Sequence, residues 1–507
     1  MKKKNKQPKE QKTEHRDHIE QNDARDRRLG TFLTALALVA VIGAIVLPLW
    51  GTAFTCDDDM FTATARFRHN GYFKSSLAMA QSQGRFYQLF AYPLAQLPYY
   101  LGSIEVANLF RLAGTASVFV AFFFMLARSL QSRELAVFIT VLSAGLLQTA
   151  EMYNPFHALP LWFNLCMTTF FLSAILFHKS IATASPRLRW YSAAVFFVCL
   201  LFYEAAIFYL FYYVIIAGIE HRKELNRSIR AWAASIVRIV LPYAVVTAVY
   251  LVLYVSFRLA YPPGYTGHEV SPAAAGDIVS TIVLFSLSGL DLNGFSSMDL
   301  SWDAHAFIAA MTVLATSFLV LRKNQSKLSS AVLAAAGLIA ILFIFAPNIL
   351  FGFLPKYRQW VKATPYYLGS YNSAFAMAAL FGVISIGLVK AANRYKMRTA
   401  AALLLSLVLA HGSYQTVLKA RPFYLQHKAN RQAWTAVDGL IASAESNGLD
   451  RASIIVAPSL QVMPYLNPVM YDYWSYYFSW KLGRSVKVVD RFEGKAKEGE
   501  VLWLRAR

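Results

Sequence analysis

Charge is scarce in this chain. Asp, Glu, Lys and Arg make up 15% of its 507 residues, where a soluble domain carries about a quarter. That shortfall rules against a soluble globular protein. Cysteine is nearly missing: Cys56, Cys166 and Cys199 are the three. The last two fall inside apolar runs, which leaves no intramolecular disulfide framework. Lysine and arginine are absent altogether from Leu259 to Leu321, as expected of an outer loop and the span after it. His157 and His268 stand without a second ligand at metal spacing, which speaks against a zinc site.

What is present is apolar. Residues of the hydrophobic types make up 57% of the chain, and they come in long blocks instead of alternating with polar ones. The fold class that follows is a polytopic α-helical membrane protein of about eleven spans, with a small α/β domain at the C-terminal end. The net charge of +21, from 49 Lys and Arg against 28 Asp and Glu, is what basic cytosolic turns produce in such a protein. A nucleic-acid binder would gather that charge on one soluble face, and no such face exists here.

Residues 1–29 read as a disordered basic cytosolic tail, and 30–50 as an uncleaved signal anchor running outward. Further spans are expected near 106–127, 134–150, 158–177, 238–258, 303–321, 328–346, 371–389 and 399–414, with basic turns between alternate pairs. The block from Trp190 to Ile219 has basic residues on both flanks, so one crossing would put a flank on the wrong side. A pair of short helices breaking near Tyr203-Glu204 keeps both flanks cytosolic. The membrane domain then covers 30–415, with outer loops 51–105, 259–302 and 347–370. A surface helix is expected around Ile278 to Leu287. In the remaining 416–507, Ser453–Ala457, Ser485–Val489 and Val501–Leu504 read as strands and Arg431–Glu445 as an amphipathic helix. An odd span count puts this domain outside the cytosol of a multi-pass cell (inner or plasma) membrane protein, with the N-terminus cytosolic.

Two outer loops break the charge rule. The first holds Asp57, Asp58 and Asp59 directly after the first span, followed by Arg66, Arg68, Lys74 and Arg85. The second runs from Phe353 to Lys362 and holds Lys356, Tyr357 and Arg358. Carboxylates beside a membrane exit, with guanidinium groups in a facing loop, suit an anionic lipid head group. Plainer roles compete. The Asp run also fits a solvated helix end, Arg66, Arg68 and Lys74 an interfacial helix touching membrane lipids, and Lys356, Arg358 and Lys362 interfacial snorkelling. Glu204 is sharper, since an ionisable group at membrane depth is costly and functional by default.

Cys56-Asp57-Asp58-Asp59-Met60-Phe61 after the first span, Gln83-Gly84-Arg85-Phe86 before the second, and the broken pair at Leu200-Leu201-Phe202-Tyr203-Glu204 resemble the GT-C superfamily. These are polyprenyl-phosphate-sugar-dependent membrane glycosyltransferases, and the resemblance is particularly to O-antigen glucosyltransferase-like members. The resemblance implies inverting transfer of a sugar from a polyprenyl-phosphate sugar to a cell-envelope glycan or lipid acceptor at the outer face. One of Asp57, Asp58 and Asp59 would be the general base, the family's acidic pair being three residues long here. Arg85 and Arg358 would hold the leaving phosphate, with Glu204, Lys356 and Tyr357 also binding substrate. The carboxylate cluster serves proton transfer or a divalent metal equally well. The rival from another class is a transporter or flippase of a lipid-linked anion. Such proteins place their charged sites at the midplane and often carry internal repeats. No repeat is found in this chain, and most of its unexplained charge sits at one interface.

Overall fold

A computed structural model describes the chain in stretches: 35–40, 43–44, 47–51, 72–100, 104–147, 161–264, 274–290, 292–323, 329–363, 368–445, 452–456, 471–489 and 501–503, with isolated positions between them. Asp57–Asp59, Cys56, Arg66, Arg68, His157, His268 and the N-terminal tail lie outside the described residues. Among the described residues, seven helices are long and apolar enough to cross a bilayer. The protein is a helical multi-pass membrane protein with a small strand-containing domain after its last span.

The helices that set the frame are α1 (Tyr72–Gln83), α2 (Gln88–Tyr100), α3 (Ile104–Ser129), α4 (Arg133–Gly145), α5 (Trp162–Ala182) and α6 (Pro186–Leu200). After them come α7 (Leu210–Glu220), α8 (Ile229–Ala260), α9 (Ala275–Leu287), α10 (Ala304–Lys323), α11 (Ser330–Phe345), α12 (Pro355–Ala363), α13 (Leu368–Asn393) and α14 (Arg398–Glu445). Every expected span after the first appears as a helix, and the expected surface helix appears as α9. The span expected over 134–150 is α4, which stops at Gly145. At thirteen residues it is only about 20 Å long, too short to cross alone. Nearly all of its side chains are buried, so it runs inside the bundle and not against lipid.

Cross-links between helices sort the chain into two ends. At one end, Ser129 Oγ, His178 Nε2 and Tyr212 OH bond to one another within 2.7–3.1 Å, Lys390 Nζ reaches Ser330 Oγ at 3.4 Å, and Arg398 bonds to the Arg322 carbonyl. The basic turns gather here. Four helices leave this end on serine caps: Ser132, Ser185, Ser228 and Ser329 accept from the N–H groups of Leu135, Leu188, Arg230 and Val332. Such a hydroxyl satisfies one otherwise unpaired first-turn donor.

The hairpin expected at Tyr203-Glu204 is present. Helix α6 ends at Leu200, a 3-10 turn covers Glu204–Tyr209, and α7 returns. The partners of α5 fix the reversal. Its residues Trp162, Cys166 and Ser173 meet Phe202, Cys199 and Ser192 of the outgoing arm, while Met167, Ser173 and His178 meet Tyr209, Tyr213 and Tyr212 of the returning one. Ser173 and Ser192 each donate to the other's carbonyl at 2.7 Å, and the hydroxyls of Tyr213 and Tyr243 close on them at 2.7 and 2.6 Å. This polar knot inside the membrane domain satisfies every hydroxyl it buries.

The last span does not stop at the membrane. Helix α14 has 48 residues, about 70 Å at 1.5 Å each, against a hydrocarbon core of about 30 Å. The helix expected separately over Arg431–Glu445 is its C-terminal part, so a domain boundary at 415/416 falls inside a continuous helix. Beyond it, β1 (Ile454–Val456), α15 (Tyr471–Leu482), β2 (Lys487–Val489) and β3 (Val501–Trp503) form a parallel three-stranded sheet in the order β2-β1-β3. Its register pairs Ile455 with both Val488 and Leu502. Lys481 of α15 lies 3.1 Å from Asp438 of α14 and ties the sheet domain to the helix. Arg421 lies 3.6 Å from Asp303, and Arg431 2.6 Å from Glu105. The small domain therefore stands at the same end as the hairpin tip, opposite the basic turns.

Candidate active site at the hairpin tip

Helix α1 ends on Gly84 at φ +61°, a left-handed conformation that glycine adopts without steric cost. Arg85 N–H then bonds back to the Ala80 carbonyl at 3.0 Å. The Gly84 backbone is also pressed by the loop after α8, since a Cβ there would meet the Tyr261 carbonyl oxygen at 2.7 Å. Gly264 N–H bonds to the Ser82 carbonyl at 3.1 Å and fixes the same contact. This turn aims Arg85 at the hairpin tip.

Arg85 Nη2 lies 3.6 Å from Glu204 Oε1, with both side chains mostly buried. Its Nη1 donates to Tyr87 OH at 2.9 Å, and its Cζ sits 5.7 Å from the Tyr87 ring centre. Burial alone would push the Arg85 guanidinium down. The Glu204 carboxylate, and after it the phenols of Tyr87, Tyr357 and Tyr254, outweigh that and hold it well above its ordinary value. Burial likewise pushes the Tyr87 phenol well up, which keeps it neutral.

Aromatic side chains wall the pair. Tyr203 packs edge-on to Tyr87 at 6.2 Å and to Phe163 at 5.2 Å, and Phe86 meets Phe257 of α8 at 5.8 Å. One polar atom is left over: Glu204 Oε2 is buried, with no hydrogen-bond partner among the described residues. A buried carboxylate oxygen without a donor is costly, and a ligand hydroxyl or N–H would relieve it.

The three sequence-predicted residues of α12 point different ways, as consecutive helical positions about 100° apart must. Tyr357 turns inward. Its ring is buried against Phe351 at 4.6 Å and Phe285 at 6.3 Å, and it is close enough to act on the Arg85 charge. Lys356 Nζ lies 4.0 Å over the Trp360 ring. Arg358 Nη1 donates to the Gly352 carbonyl at 3.1 Å, and the residue lines a separate pocket of about 450 Å³ with Asp277, Thr281 and Gln359. Arg85, Glu204 and Tyr357 are thus brought together, while Arg358 faces Asp277's pocket and Lys356 its own helix.

Sequence reasoning missed Arg111. It is fully buried within α3 and bonds to Asn108 Oδ1. Asn108 Nδ2 donates to the Trp50 carbonyl at 2.9 Å, and Arg431 Nη1 reaches the same carbonyl at 3.1 Å. Trp50 is therefore held between α3 and α14. The signal was a lone arginine inside an apolar run, which deserved the weight given to Glu204. No group of three or more His, Cys, Asp or Glu stands at metal-binding distance among the described residues, which do not include Asp57–Asp59.

No family model and no curated protein matches the chain. Among solved structures it is similar to ArnT from Cupriavidus metallidurans, crystallised bound to undecaprenyl phosphate, at 13% sequence identity and a TM-score of 0.37, over 93% of this chain and 87% of that one.

Proposed function

We propose that this protein is a GT-C-like membrane glycosyltransferase. It transfers a hexose-type sugar from a polyprenyl-phosphate donor to a cell-envelope glycan or lipid acceptor at the outer face, with inversion. The observation that carries the reading is the mostly buried Arg85–Glu204 pair, whose second carboxylate oxygen has no hydrogen-bond partner among the described residues. It joins two segments that the sequence singled out separately, at the end of the bundle away from the basic turns. That end is the outer one by the positive-inside rule.

The chemistry is a single displacement. One carboxylate of Asp57, Asp58 or Asp59 takes the proton of the acceptor hydroxyl. The acceptor oxygen attacks the anomeric carbon from the face opposite the phosphate. The bond from that carbon to the phosphate oxygen breaks, and polyprenyl phosphate leaves with the electron pair. Arg85 faces the charge that builds on the leaving phosphate. Glu204 Oε1 holds the guanidinium in place, and Oε2 accepts from a donor-sugar hydroxyl. The Asp cluster would equally hold a divalent metal, which would supply charge stabilisation to the phosphate.

The test supplies purified protein with a labelled polyprenyl-phosphate sugar and a cell-envelope extract. The expected result is label covalently attached to acceptor, with free polyprenyl phosphate as co-product. Label that crosses a proteoliposome bilayer without a new glycosidic bond would make the protein a transporter and end the glycosyltransferase reading.

A further inference from the structure

A second cavity in the membrane domain lies at the other end of the molecule and plays no part in the site above. Helices α7 and α11 touch where Phe343 packs between Tyr209 and Tyr212, with ring centres 5.7 and 5.9 Å apart. Towards the basic end they part and leave a cavity of about 830 Å³. Its α11 wall is Val332, Ala335, Ala336 and Ile339, spaced i, i+3, i+4, i+7, so they form one apolar stripe. The two alanines make that stripe a groove. Ile216 and Ile219 of α7 face it. The rim carries Arg133, Arg222 and Lys223, with Glu134 and Glu220 beside them. Ser129 and His178 reach the cavity from the hydrogen-bonded cluster with Tyr212.

We infer that this cleft is a binding site for a membrane glycerophospholipid, whose phosphodiester sits on Arg133, Arg222 and Lys223 and whose acyl chain runs along the stripe of α11. Three cations against two carboxylates leave one net positive charge, which matches the single charge of a phosphodiester. Guanidinium and ammonium groups are the donors that hold such an anion. A free phosphate ion would leave the apolar stripe bare against water, and an uncharged lipid would leave the cations unmatched. Glu134 and Glu220 add acceptors for a head-group amine or hydroxyl. The cavity lies where the basic turns meet the membrane, so the lipid comes from the leaflet on that side. Wedged between α7 and α11, it fills the gap left by their divergence below Phe343, and α7 is the arm that carries the Glu204 turn.

Native mass spectrometry of the full-length protein, delipidated and then titrated, tests this with three probes: phosphatidylethanolamine, phosphatidylglycerol and inorganic phosphate. One phospholipid should bind tightly per protein and resist displacement by millimolar phosphate. Ala336→Trp, which fills the groove, should abolish that binding. The paired exposed changes Arg133→Gln and Arg222→Gln should weaken it at least about tenfold, since charge-assisted bonds to phosphate are lost. The arginine pair keeps the readout valid if the tryptophan variant fails to fold. Preference for the ethanolamine lipid over the glycerol lipid, or the reverse, supports the site and reports whether Glu134 and Glu220 meet an amine. Lipid retention unchanged in the arginine pair overturns the proposal. So does displacement of lipid by inorganic phosphate, which would make the cleft a soluble-anion site.

Discussion

Arg85 and Glu204 meet across the join between a helix end and a hairpin tip, with Nη2 and Oε1 3.6 Å apart and Tyr87 OH on the other arm of the guanidinium at 2.9 Å. Among the described residues, one carboxylate oxygen, Glu204 Oε2, is left without a hydrogen-bond partner. A pair buried to this degree is a poor source of stability, because desolvation cancels much of the attraction. Its presence at the end of the bundle is better accounted for by binding.

That account separates the roles of the two residues. Removing one preorganised donor to a developing charge costs about a hundredfold or more in turnover, so Arg85→Gln should lower kcat by at least that, with a smaller change in KM. Arg85→Lys should recover part of it, since the charge remains but the planar fork does not. Glu204→Gln should raise KM as well as lower kcat, through the lost hydroxyl acceptor and a looser Arg85. Steady-state kinetics on the three variants decide this: the same fall in apparent kcat in all three, with KM unchanged and the thermal midpoint lowered, would assign the pair to folding alone.

The turn that delivers Arg85 admits no Cβ. Gly84→Ala forces an L-residue to φ +61° and drives its methyl into the Tyr261 carbonyl 2.7 Å away. Left-handed strain of that kind costs about 1–3 kcal/mol. The expected outcome is a lower thermal midpoint in detergent, with turnover falling in parallel with Arg85→Gln. A Gly84→Ala protein with unchanged midpoint and rate would show that the α1 end does not fix Arg85.

Much of this was legible in the residues. Spans are set by length and composition, so every expected span after the first appears as a helix, and the three strands fall inside their expected segments. The hairpin at Tyr203-Glu204 followed from flanking charge alone. Other features depend on packing. Helix α4 is short because it runs inside the bundle, and hydropathy does not separate lipid from protein as surroundings. The continuity of α14 through the change in composition near residue 416 is set by its contacts at Asp303 and Glu105. Arg358 looked like a partner of Arg85 because both are basic residues in outer loops. One position along α12, however, is a turn of about 100°: Arg358 bonds to the Gly352 carbonyl, while Tyr357 is buried against Phe351 and Phe285.

The two ends of the bundle give a labelling prediction. Ser301, whose carbonyl accepts from Tyr414, lies at the Glu204 end, and Lys323 at the basic end. With Cys56 replaced by serine, an impermeant thiol reagent on intact cells should label Ser301→Cys and leave Lys323→Cys unlabelled until the membrane is opened. Cys166 and Cys199 are buried in the bundle and give no background. Cys56 in the unmodified chain should react like Ser301→Cys. The opposite pattern would invert the molecule, because all basic turns share one end.

The acidic cluster gives the last prediction. Asn keeps the shape of Asp but accepts no proton, so single Asn variants at Asp57, Asp58 and Asp59 isolate the general base. The base should account for a hundredfold to ten-thousandfold of kcat, on the order expected for proton transfer in a transition state. Ahead of the cluster in sequence, the Trp50 carbonyl is gripped by Asn108 at 2.9 Å and Arg431 at 3.1 Å. The Arg431–Glu105 pair is partly exposed, and such pairs contribute about 0–1 kcal/mol. Arg431→Ala should therefore barely move the thermal midpoint. If its grip on Trp50 positions the base, kcat should fall severalfold with KM for the lipid donor unchanged, because Arg85 and Glu204 are untouched. Full activity in all three Asn variants and in their combination would remove the Asp cluster from the reaction. A midpoint drop in Arg431→Ala without a kcat effect would make the Trp50 clamp structural only.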